Sequence, residues 1–218
     1  MSPPLSHQTQ KMIYIFNPLE HYSAEQFSSY HLALPAWRRE KALQYKKLDD
    51  RKRSVLAFVL LQRALREEYG ITEVPKFVYN EFGKPSLPNL PIHFSLSHCK
   101  DAVACAVSDY NIGIDVESIV PYNPDVARRV CSKAELKKLE QSENKDVDFI
   151  KLWTMKEAIS KFDGRGLTMS FNEINIGDYT ILTQEASNYI LSVCFGKASG
   201  QMVDFAQTEI KIINNIDV

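Results

Sequence analysis

The stretch that most constrains this sequence is residues 111–117, a short apolar segment that ends in two carboxylates. Residues i and i+2 of an extended chain project from the same face, so a strand here directs Asp115 and Glu117 to one side, and Ile114 and Val116 into the protein body. Two like charges side by side are costly unless a positive group lies between them. A hard divalent cation with oxygen ligands is one such group. The alternative is a strand that ends at the surface with two solvated acids.

The composition excludes several classes of protein. A content of 44% hydrophobic and 24% charged residues is ordinary for a globular protein, and 218 residues suffice for one large domain or two small ones. The net charge of −1 gives no overall field that favours nucleic acid or a membrane, and no apolar run reaches the ~18 residues of a membrane helix. The cysteines form no C-x-x-C pair, which predicts buried thiols in a reducing, cytoplasmic compartment. They are Cys99, Cys105, Cys131 and Cys194.

The order of predicted elements indicates an α+β fold. In the first half, strands are expected at residues 12–16, 76–79, 92–96 and 102–107, and helices at 23–34, 37–45 and 51–69. In the second half, helices are expected at 124–130, 132–140 and from Asp146 or Asp148 to Phe162, and strands at 171–176, 189–195, 202–205 and 209–213. This order fits a loose tail at 1–10, an N-terminal lobe at 11–110 and a C-terminal lobe at 111–218.

A second candidate cluster lies on the predicted helix that ends near Phe162. Glu157 and Lys161 are four residues apart and share one face with Trp153, one turn earlier. A surface ion pair that stabilises the helix by a few tenths of a kcal/mol is the simpler interpretation. The neighbouring Trp153 and the glycines at 164 and 166 favour a partly enclosed site instead.

A third cluster is basic. Residues 38–53 hold eight of the 26 lysines and arginines, opposed by three acids, and such a local excess suggests an anionic partner. Phosphates fit because guanidinium groups bind them bidentately. Lys46, Lys47 and Lys52 are expected to be solvated, whereas Arg38 and Lys41, three apart on one helical face, are better candidates.

Two further short motifs lie between these clusters. Residues 83–85, Gly-Lys-Pro, present a lysine on a stiff turn, which is also the composition of a plain hairpin turn. Ser97 and His98 follow an apolar strand and suit either phosphate binding or a capping serine beside a half-buried histidine. A serine nucleophile is disfavoured because no G-x-S-x-G elbow is present.

Taken together, these motifs resemble the 4′-phosphopantetheinyl transferases of the larger, surfactin-synthetase-activating type. The resemblance covers about residues 35–167 and is weak over the last fifty or so. Its most specific parts are a G-I-D-x-E motif followed by W-x-x-K-E-A-x-x-K at this separation. The motifs are G-K-P at 83–85, F-S-L-S-H at 94–98, I-G-I-D-V-E at 112–117 and W-T-M-K-E-A-I-S-K at 153–161.

The resemblance implies a fold, a reaction and a set of residue roles. The fold is two similar, pseudo-twofold α+β lobes in a monomer, each a small, mostly antiparallel sheet packed with helices. The reaction moves the phosphopantetheine arm of coenzyme A to a serine of an apo acyl or peptidyl carrier protein and releases adenosine 3′,5′-bisphosphate. Asp115, Glu117 and Glu157 would hold Mg²⁺, or Mn²⁺, against the diphosphate. Glu157 would be the base for the serine, and Lys161 would contact the diphosphate and protonate the leaving phosphate.

The remaining implied roles concern coenzyme A binding. Ser97 and His98 would contact its phosphates, and the Gly83, Lys84 and Pro85 turn would line its adenine and phosphate side. Basic residues would hold its 3′-phosphate, with a one-residue shift after Pro35 in the alignment. They are Arg38, Lys41 and Arg53.

Three interpretations of the whole chain remain open at this point. The transferase is favoured; the others are a non-catalytic module that binds coenzyme A or a carrier protein, and a Mg²⁺-dependent diphosphatase that cleaves coenzyme A without a carrier. The basic residues in 121–139 are a candidate carrier-docking surface or an ordinary solvated helix. Neither nucleic acid nor membrane is an expected partner.

Overall fold

The computed structural model describes residues 11–17, 19, 22–197 and 208–213. The tail expected at 1–10 and the strand expected at 202–205 lie outside these residues. The helices are α1 (Ala24–Ala33), α2 (Ala36–Leu43), α3 (Leu48–Tyr69), α4 (Pro124–Val130), α5 (Lys133–Glu140) and α6 (Lys145–Asp163). The strands are β1 (Lys11–Phe16), β2 (Val78–Tyr79), β3 (Pro85–Ser86), β4 (His93–His98), β5 (Val103–Ser108), β6 (Gly113–Ser118), β7 (Tyr179–Glu185), β8 (Tyr189–Lys197) and β9 (Thr208–Ile213).

The strands form two main sheets. The first has the order β4-β5-β1-β9, in which β1 and β9 are parallel and the other pairs antiparallel. The second, β6-β8-β7, is antiparallel throughout, and β2 and β3 make a separate small hairpin. Helices packed on small, mostly antiparallel sheets confirm the predicted α+β class.

The two main sheets pack face to face, with helices on their outer sides. Strand β1 shows this by alternation, because Tyr14 belongs to the apolar core under α3, whereas Ile13 and Ile15 belong to the core between the sheets. Ile114 of β6 faces the same middle core, and Ile190 of β8 faces α6. The alternation places the odd-numbered residues of β6, including Asp115, on the side of α6.

Most helix ends follow the predicted signals. The side chains of Ser23 and Ser132 each accept a hydrogen bond from the backbone three residues later, and Gln26 and Glu135 return the bond in capping boxes. Helix α3 ends at Gly70, which adopts the left-handed conformation with φ of 67°.

One strand prediction is wrong. Residues 171–176 were expected to be extended, but Phe171–Glu173 forms a 3₁₀ turn, and a second such turn begins at Ile176. The buried residues Phe171 and Ile174 are three apart, a spacing that places them on one face of a 3₁₀ turn and on opposite faces of a strand. Strand β7, for which no strand was predicted, forms an outer strand of the second sheet.

Strand β9 crosses the predicted lobe boundary. It lies in the part of the sequence assigned to the C-terminal lobe but pairs with β1 of the first sheet over Thr208 to Ile213. The division at residues 110 and 111 stays a prediction. All four cysteines are buried and free of disulfides. None of the helices within the described ranges has the length and apolar content that crossing a membrane requires.

Candidate active site

One cleft of about 500 Å³ brings together the motifs that lie far apart in the sequence. We call it the central cleft. Of the predicted site residues, Arg53 is the one that does not line it. The predicted residues that do line it are Arg38, Lys41, Gly83, Lys84, Pro85, Ser97, His98, Asp115, Glu117, Glu157 and Lys161.

A close backbone contact brings β6 and α6 together at this cleft. A Cβ atom at Gly113 would lie 2.1 Å from the backbone oxygen of Ala158 and 2.4 Å from the backbone nitrogen of Phe162. Only a residue without a side chain fits there, which explains the glycine of the G-I-D-x-E motif. The contact places Asp115, two residues along the strand, opposite Lys161 of the helix.

Asp115, Lys161 and Ser97 form a closed triangle of polar contacts. The ammonium of Lys161 lies 2.6 Å from Asp115 Oδ1 and donates to Ser97 Oγ at 2.8 Å, and Ser97 Oγ donates to Asp115 Oδ1 at 2.7 Å. Asp115 is only 2% exposed, so the ion pair lies largely out of water. A buried carboxylate needs such partners because desolvating an unpaired charge is costly.

The other oxygen of Asp115 bears on the predicted metal site. Oδ2 is buried and has no hydrogen-bond partner among the described residues. An unpaired oxygen of a buried carboxylate beside two further acids is the donor chemistry that Mg²⁺ and Mn²⁺ take. Within the described residues, no group of three or more His, Cys, Asp or Glu side chains is already close enough to hold a metal ion. Asp115, Glu117 and Glu157 thus match a divalent cation by the type of their donor atoms, but their carboxylates are not spaced to hold one in this structure.

Glu117 is held in an environment that disfavours its charge. Burial, and secondarily the charge of Asp115, raises the pKa of Glu117 to about 7. The indole N–H of Trp153 donates to Glu117 Oε1 at 3.3 Å, which partly offsets this rise. A nearby cation would therefore stabilise the charged form of Glu117.

The surroundings of Glu157, on α6, also disfavour its charged form. Its pKa is raised by burial and by the negative charge of Asp115, while Lys161 acts in the opposite direction. A carboxylate whose pKa moves up towards neutrality is better matched to accept a proton at physiological pH.

The basic side of the cleft is built around Arg38. This side chain is only 6% exposed, and it donates to the carbonyl and the hydroxyl of Ser54 while its guanidinium lies over the ring of Phe58. Its Nη1 is buried and has no hydrogen-bond partner among the described residues. Burial lowers the pKa of Arg38, although a guanidinium remains charged at physiological pH.

Lys41 and Arg53 differ in their relation to the cleft. The ammonium of Lys41 lies 4.9 Å from the centre of the Tyr79 ring, and the side chain is exposed at the cleft. Arg53 instead pairs with Asp50 at 2.5 Å, one turn away on α3. The geometry therefore brings Arg38 and Lys41 to the central cleft and leaves Arg53 beside it.

His98 is neutral in this environment. Burial, together with the positive charges of Lys161 and Arg53, lowers its pKa to about 4. Its ring lies 6.1 Å from that of Tyr45, edge to face. At physiological pH it is a neutral hydrogen-bonding group between two cations rather than a third cation.

A second cleft of about 640 Å³ lies between α5, α6 and the 3₁₀ turns. It is larger than the central cleft, but its charged lining is mixed, with Glu135, Asp148 and Glu173 beside Lys138 and Lys151. None of the predicted site residues lines it. We assign the chemistry to the central cleft because the acids and bases of the motifs meet there.

Two serines to which the sequence assigned no role hold the elements of the site in place. Ser54 accepts from Arg38, and Ser95 Oγ accepts from the backbone N–H of Ile114 at 3.1 Å, which joins β4 to β6. Both contacts link residues 16 to 19 positions apart, and a single serine carries no local signal of such a partner.

Comparisons with known proteins show which family the chain belongs to. Residues 111–212 match the model of the 4′-phosphopantetheinyl transferase superfamily. The chain is 32% identical over 169 residues to the 4′-phosphopantetheinyl transferase Sfp of Bacillus subtilis (strain 168), covering 75% of this chain and 74% of that protein.

Two further relatives are also named as 4′-phosphopantetheinyl transferases. The 4′-phosphopantetheinyl transferase psf-1 of Bacillus pumilus is 36% identical over 135 residues, which are 60% of this chain and 58% of that protein. The 4′-phosphopantetheinyl transferase AcpT of Escherichia coli (strain K12) is 31% identical over 103 residues, 44% of this chain and 52% of that protein. The chain therefore belongs to the 4′-phosphopantetheinyl transferase superfamily, is similar to the Sfp type within it, and is by class a 4′-phosphopantetheinyl transferase.

Proposed function

We propose that this enzyme transfers the 4′-phosphopantetheine arm of coenzyme A to a serine of an apo carrier protein, acyl or peptidyl, with Mg²⁺ and release of adenosine 3′,5′-bisphosphate. The observation that carries the proposal is the convergence of acids and cations on one cleft. Asp115, Glu117 and Glu157 line it together with Arg38, Lys41 and Lys161. A diphosphate displacement needs positioning and charge neutralisation more than covalent chemistry, and both are available here.

The acids are assigned to a divalent cation. Asp115 offers its unpaired Oδ2, and Glu117 and Glu157 supply two more, half-buried carboxylates whose pKa values are raised partly by the charge of Asp115. Bound there, Mg²⁺ would neutralise charge on the diphosphate oxygens. In its presence Glu117 would be held ionised at physiological pH.

Proton transfer is assigned to two residues of α6. Glu157 takes the proton of the carrier serine, whose oxygen then bonds to the phosphorus that bears the pantetheine arm. The bond from that phosphorus to the bridging oxygen breaks, and the electron pair leaves with adenosine 3′,5′-bisphosphate. Lys161 contacts the diphosphate and gives a proton to the departing phosphate oxygen. No protein nucleophile is required.

The remaining cleft residues are assigned to coenzyme A binding. Buried Arg38, with its unpaired Nη1, and exposed Lys41 suit the 3′-phosphate, with Arg53 as an outer cation. Ser97 and His98 lie next to Lys161, where hydroxyl and neutral imidazole groups suit phosphate oxygens. Gly83 and Pro85, on the turn that also carries Lys84, line the same cleft and are assigned to the adenine side.

The test combines the protein with coenzyme A, Mg²⁺ and two apo carriers, one from fatty-acid synthesis and one from peptide synthesis. Intact mass spectrometry of each carrier is expected to show one added phosphopantetheine in at least one of the two. A carrier whose acceptor serine is changed to alanine should gain nothing. Phosphopantetheine released from coenzyme A without any carrier would instead indicate a diphosphatase, and no modification of any carrier tested would overturn the proposal.

Variants then assign the residues. Asp115→Ala is expected to abolish transfer while the protein stays folded, whereas Glu73→Ala, at an exposed acid in the loop after α3, should transfer at the wild-type rate. Chelation with EDTA should stop transfer, and added Mg²⁺ or Mn²⁺ should restore it. Retained activity in Asp115→Ala would refute the metal assignment while leaving the reaction itself intact.

The carrier is proposed to dock on α4 and α5. This region presents five exposed basic side chains, of which Arg128 pairs with Asp125. Carrier proteins of these pathways are typically acidic, so the surface has complementary charge. Lys133→Glu combined with Lys137→Glu should raise the KM for the carrier and leave the KM for coenzyme A unchanged. The basic residues are Arg128, Arg129, Lys133, Lys137 and Lys138.

A further inference from the structure

The C-terminal end of α6 is held by side chains from distant parts of the chain. The backbone oxygen of Phe162 accepts a hydrogen bond from Lys84 Nζ at 3.0 Å and from Asn111 Nδ2 at 2.7 Å. Lys84 Nζ also donates to Asn111 Oδ1 at 2.9 Å. We call this set of three contacts the Lys84–Asn111 clasp.

The turn that carries Lys84 is tied to the same helix end. Asn80 Oδ1 accepts from the backbone N–H of Lys84 at 2.8 Å, and Asn80 Nδ2 donates to the backbone oxygen of Gly164 at 3.0 Å. A Cβ at Gly164 would lie 3.0 Å from Cδ of Lys84, so the lysine stem packs directly on this glycine. The turn and the helix end are thus joined by both main-chain and side-chain contacts.

The position suits a cation for a physical reason other than phosphate binding. The last carbonyls of a helix lack partners within the helix and carry its negative dipole end, where an ammonium is favourable. Lys84 has three N–H donors, and two of them are committed to the clasp. Burial lowers its pKa to about 8, and nearby Asp163 partly offsets that effect, so the ammonium form still predominates at pH 7.

The clasp lies next to the residues assigned to proton transfer. Lys161 directly precedes Phe162, and Glu157 is one turn earlier on the same helix. Asn111 is two residues before Gly113, the site of closest approach between β6 and α6. Movement of the Phe162 carbonyl would therefore carry Lys161 away from Asp115. Asn111 itself does not line the central cleft.

We propose that Lys84 is a positioning residue whose ammonium, together with Asn111, fixes the last turn of α6 and thereby the place of Lys161 in the reaction. It is not itself a phosphate ligand. The proposal rests on the proposed function for its kinetic consequences, but the clasp can be measured without any activity.

The first test compares Lys84→Met and Asn111→Ala with Lys41→Met. Both clasp variants are expected to lower kcat by about 10- to 100-fold, since small misplacements of reacting groups have effects of this size, and to change the KM for coenzyme A by less than about threefold. Lys41→Met should instead raise the KM for coenzyme A by about 10- to 100-fold and change kcat by less than about threefold. The double variant Lys84→Met/Asn111→Ala should be no slower than the worse single variant, because both remove one clasp.

Two comparisons separate positioning from phosphate binding. The preference for coenzyme A over 3′-dephospho-coenzyme A should persist in Lys84→Met and fall in Lys41→Met. Lys84→Arg, which keeps a charged donor, should recover part of kcat. If Lys84→Met raises the KM for coenzyme A about tenfold at unchanged kcat, Lys84 is a phosphate ligand and the proposal fails. If Asn111→Ala behaves as wild type, the clasp does not position Lys161, and the proposal fails for that reason.

Hydrogen exchange supplies the readout that does not depend on activity. The amides of residues 158–164 should exchange faster in Lys84→Met and in Asn111→Ala, and slow again in Lys84→Arg, in protein that remains folded by circular dichroism. Unchanged exchange in both variants would overturn the clasp. A wild-type protein that modifies no carrier, with exchange altered as expected, would refute the proposed function and leave the clasp standing.

Discussion

Gly113 of β6 lies against the backbone carbonyl of Ala158 in α6, so closely that a methyl group at position 113 would come within 2.1 Å of that oxygen. The backbone of Phe162 limits the same space from the next turn of the helix. A strand and a helix normally keep their backbones apart by their side chains. Here their direct contact sets the distance across which Asp115 meets Lys161.

Gly113→Ala is therefore expected to destabilise the protein by about 3 kcal/mol or more, since the groups it meets are backbone atoms that cannot rotate away. The strand must move off the helix, and the Asp115–Lys161 pair at 2.6 Å must lengthen. We expect a loss of transferase activity even at temperatures where the variant is folded. Urea denaturation and carrier modification at 15 °C measure the two effects.

Gly196→Ala is the matched control. Gly196 also lies in a strand of the second sheet, but a Cβ there meets nothing within 4 Å. The free energy of unfolding of this variant should lie within about 0.5 kcal/mol of the wild-type value, and its activity should be unchanged. Equal effects at both positions would mean that the β6–α6 contact is not the cause.

Glu117→Gln tests the electrostatics of the acid cluster. A folded-state pKa raised to about 7 means that, between its ordinary value of 4.5 and 7, the folded protein binds more protons than the unfolded one. The contribution of Glu117 to stability is present below pH 4.5 and is lost as the pH rises through 7. With metal chelated, Glu117→Gln should be more stable than wild type at pH 8, by on the order of 1–2 kcal/mol after allowance for partial exposure, and nearly equal at pH 4.5.

The control for this comparison is Glu73→Gln, an exposed acid in a loop. Its denaturation curves should match wild type at both pH values. A Glu117→Gln protein that is less stable than wild type at pH 8 without metal would show that the carboxylate is stabilised, not penalised, by its surroundings. Adding Mg²⁺ should then raise the stability of wild type more than that of the variant.

The amino-acid sequence was sufficient to predict the α+β class and most of the helices, and the residues it proposed for the site, except Arg53, line one cleft. The i, i+2 spacing of Asp115 and Glu117 and the i, i+4 spacing of Glu157 and Lys161 each determine a shared face within one element. The sequence also indicated the capping signals at Ser23 and Ser132, because such signals act over three residues.

What the sequence could not provide are the contacts between elements. The resemblance implied that Lys84 lines the adenine and phosphate side of coenzyme A. Lys84 does line the central cleft, but its ammonium bonds to the carbonyl of Phe162, 78 residues away. The pairing of β9 with β1 and the partnership of Arg38 with Ser54 are of the same kind. Each depends on how the layers pack, for which local spacing carries no information.

Lys156→Met should be severely destabilising although the side chain lies in the middle of a helix beside Glu157. Lys156 is fully buried, and its ammonium donates to the carbonyls of Val130 and Phe171 and to the carboxylate of Glu135 at 2.7 Å. Its removal leaves the Glu135 carboxylate without its buried cation and takes one donor from each of the two carbonyls, although the backbone N–H groups of Ser132 and Ile174 still bond to Glu135 and Phe171. The expected loss is about 3–5 kcal/mol by urea denaturation.

Lys151→Met, on the same helix, serves as the comparison for Lys156→Met. Its ammonium pairs with Glu185 at 2.9 Å near the surface, and the loss should be under about 1 kcal/mol. If the two variants lose similar stability, the buried network around Lys156 contributes no more than a surface pair.

Trp153→Phe should raise the pKa of Glu117 further. The indole N–H donates to the carboxylate at 3.3 Å and favours its charged form, while the ring packs against Phe149 and Phe171. Phenylalanine keeps an apolar ring there but cannot donate. The expected rise is about half a pKa unit, on the order of 0.7 kcal/mol, because the bond is long.

Carboxyl ¹³C NMR titration of glutamate-labelled, metal-free protein measures the pKa of Glu117 directly, with the Glu117→Gln spectrum identifying the resonance. Trp37→Phe, at a half-exposed tryptophan packed on Phe58, should leave that resonance unchanged. A pKa of Glu117 that is unchanged or lower in Trp153→Phe would show that the indole does not hold this carboxylate in its charged form.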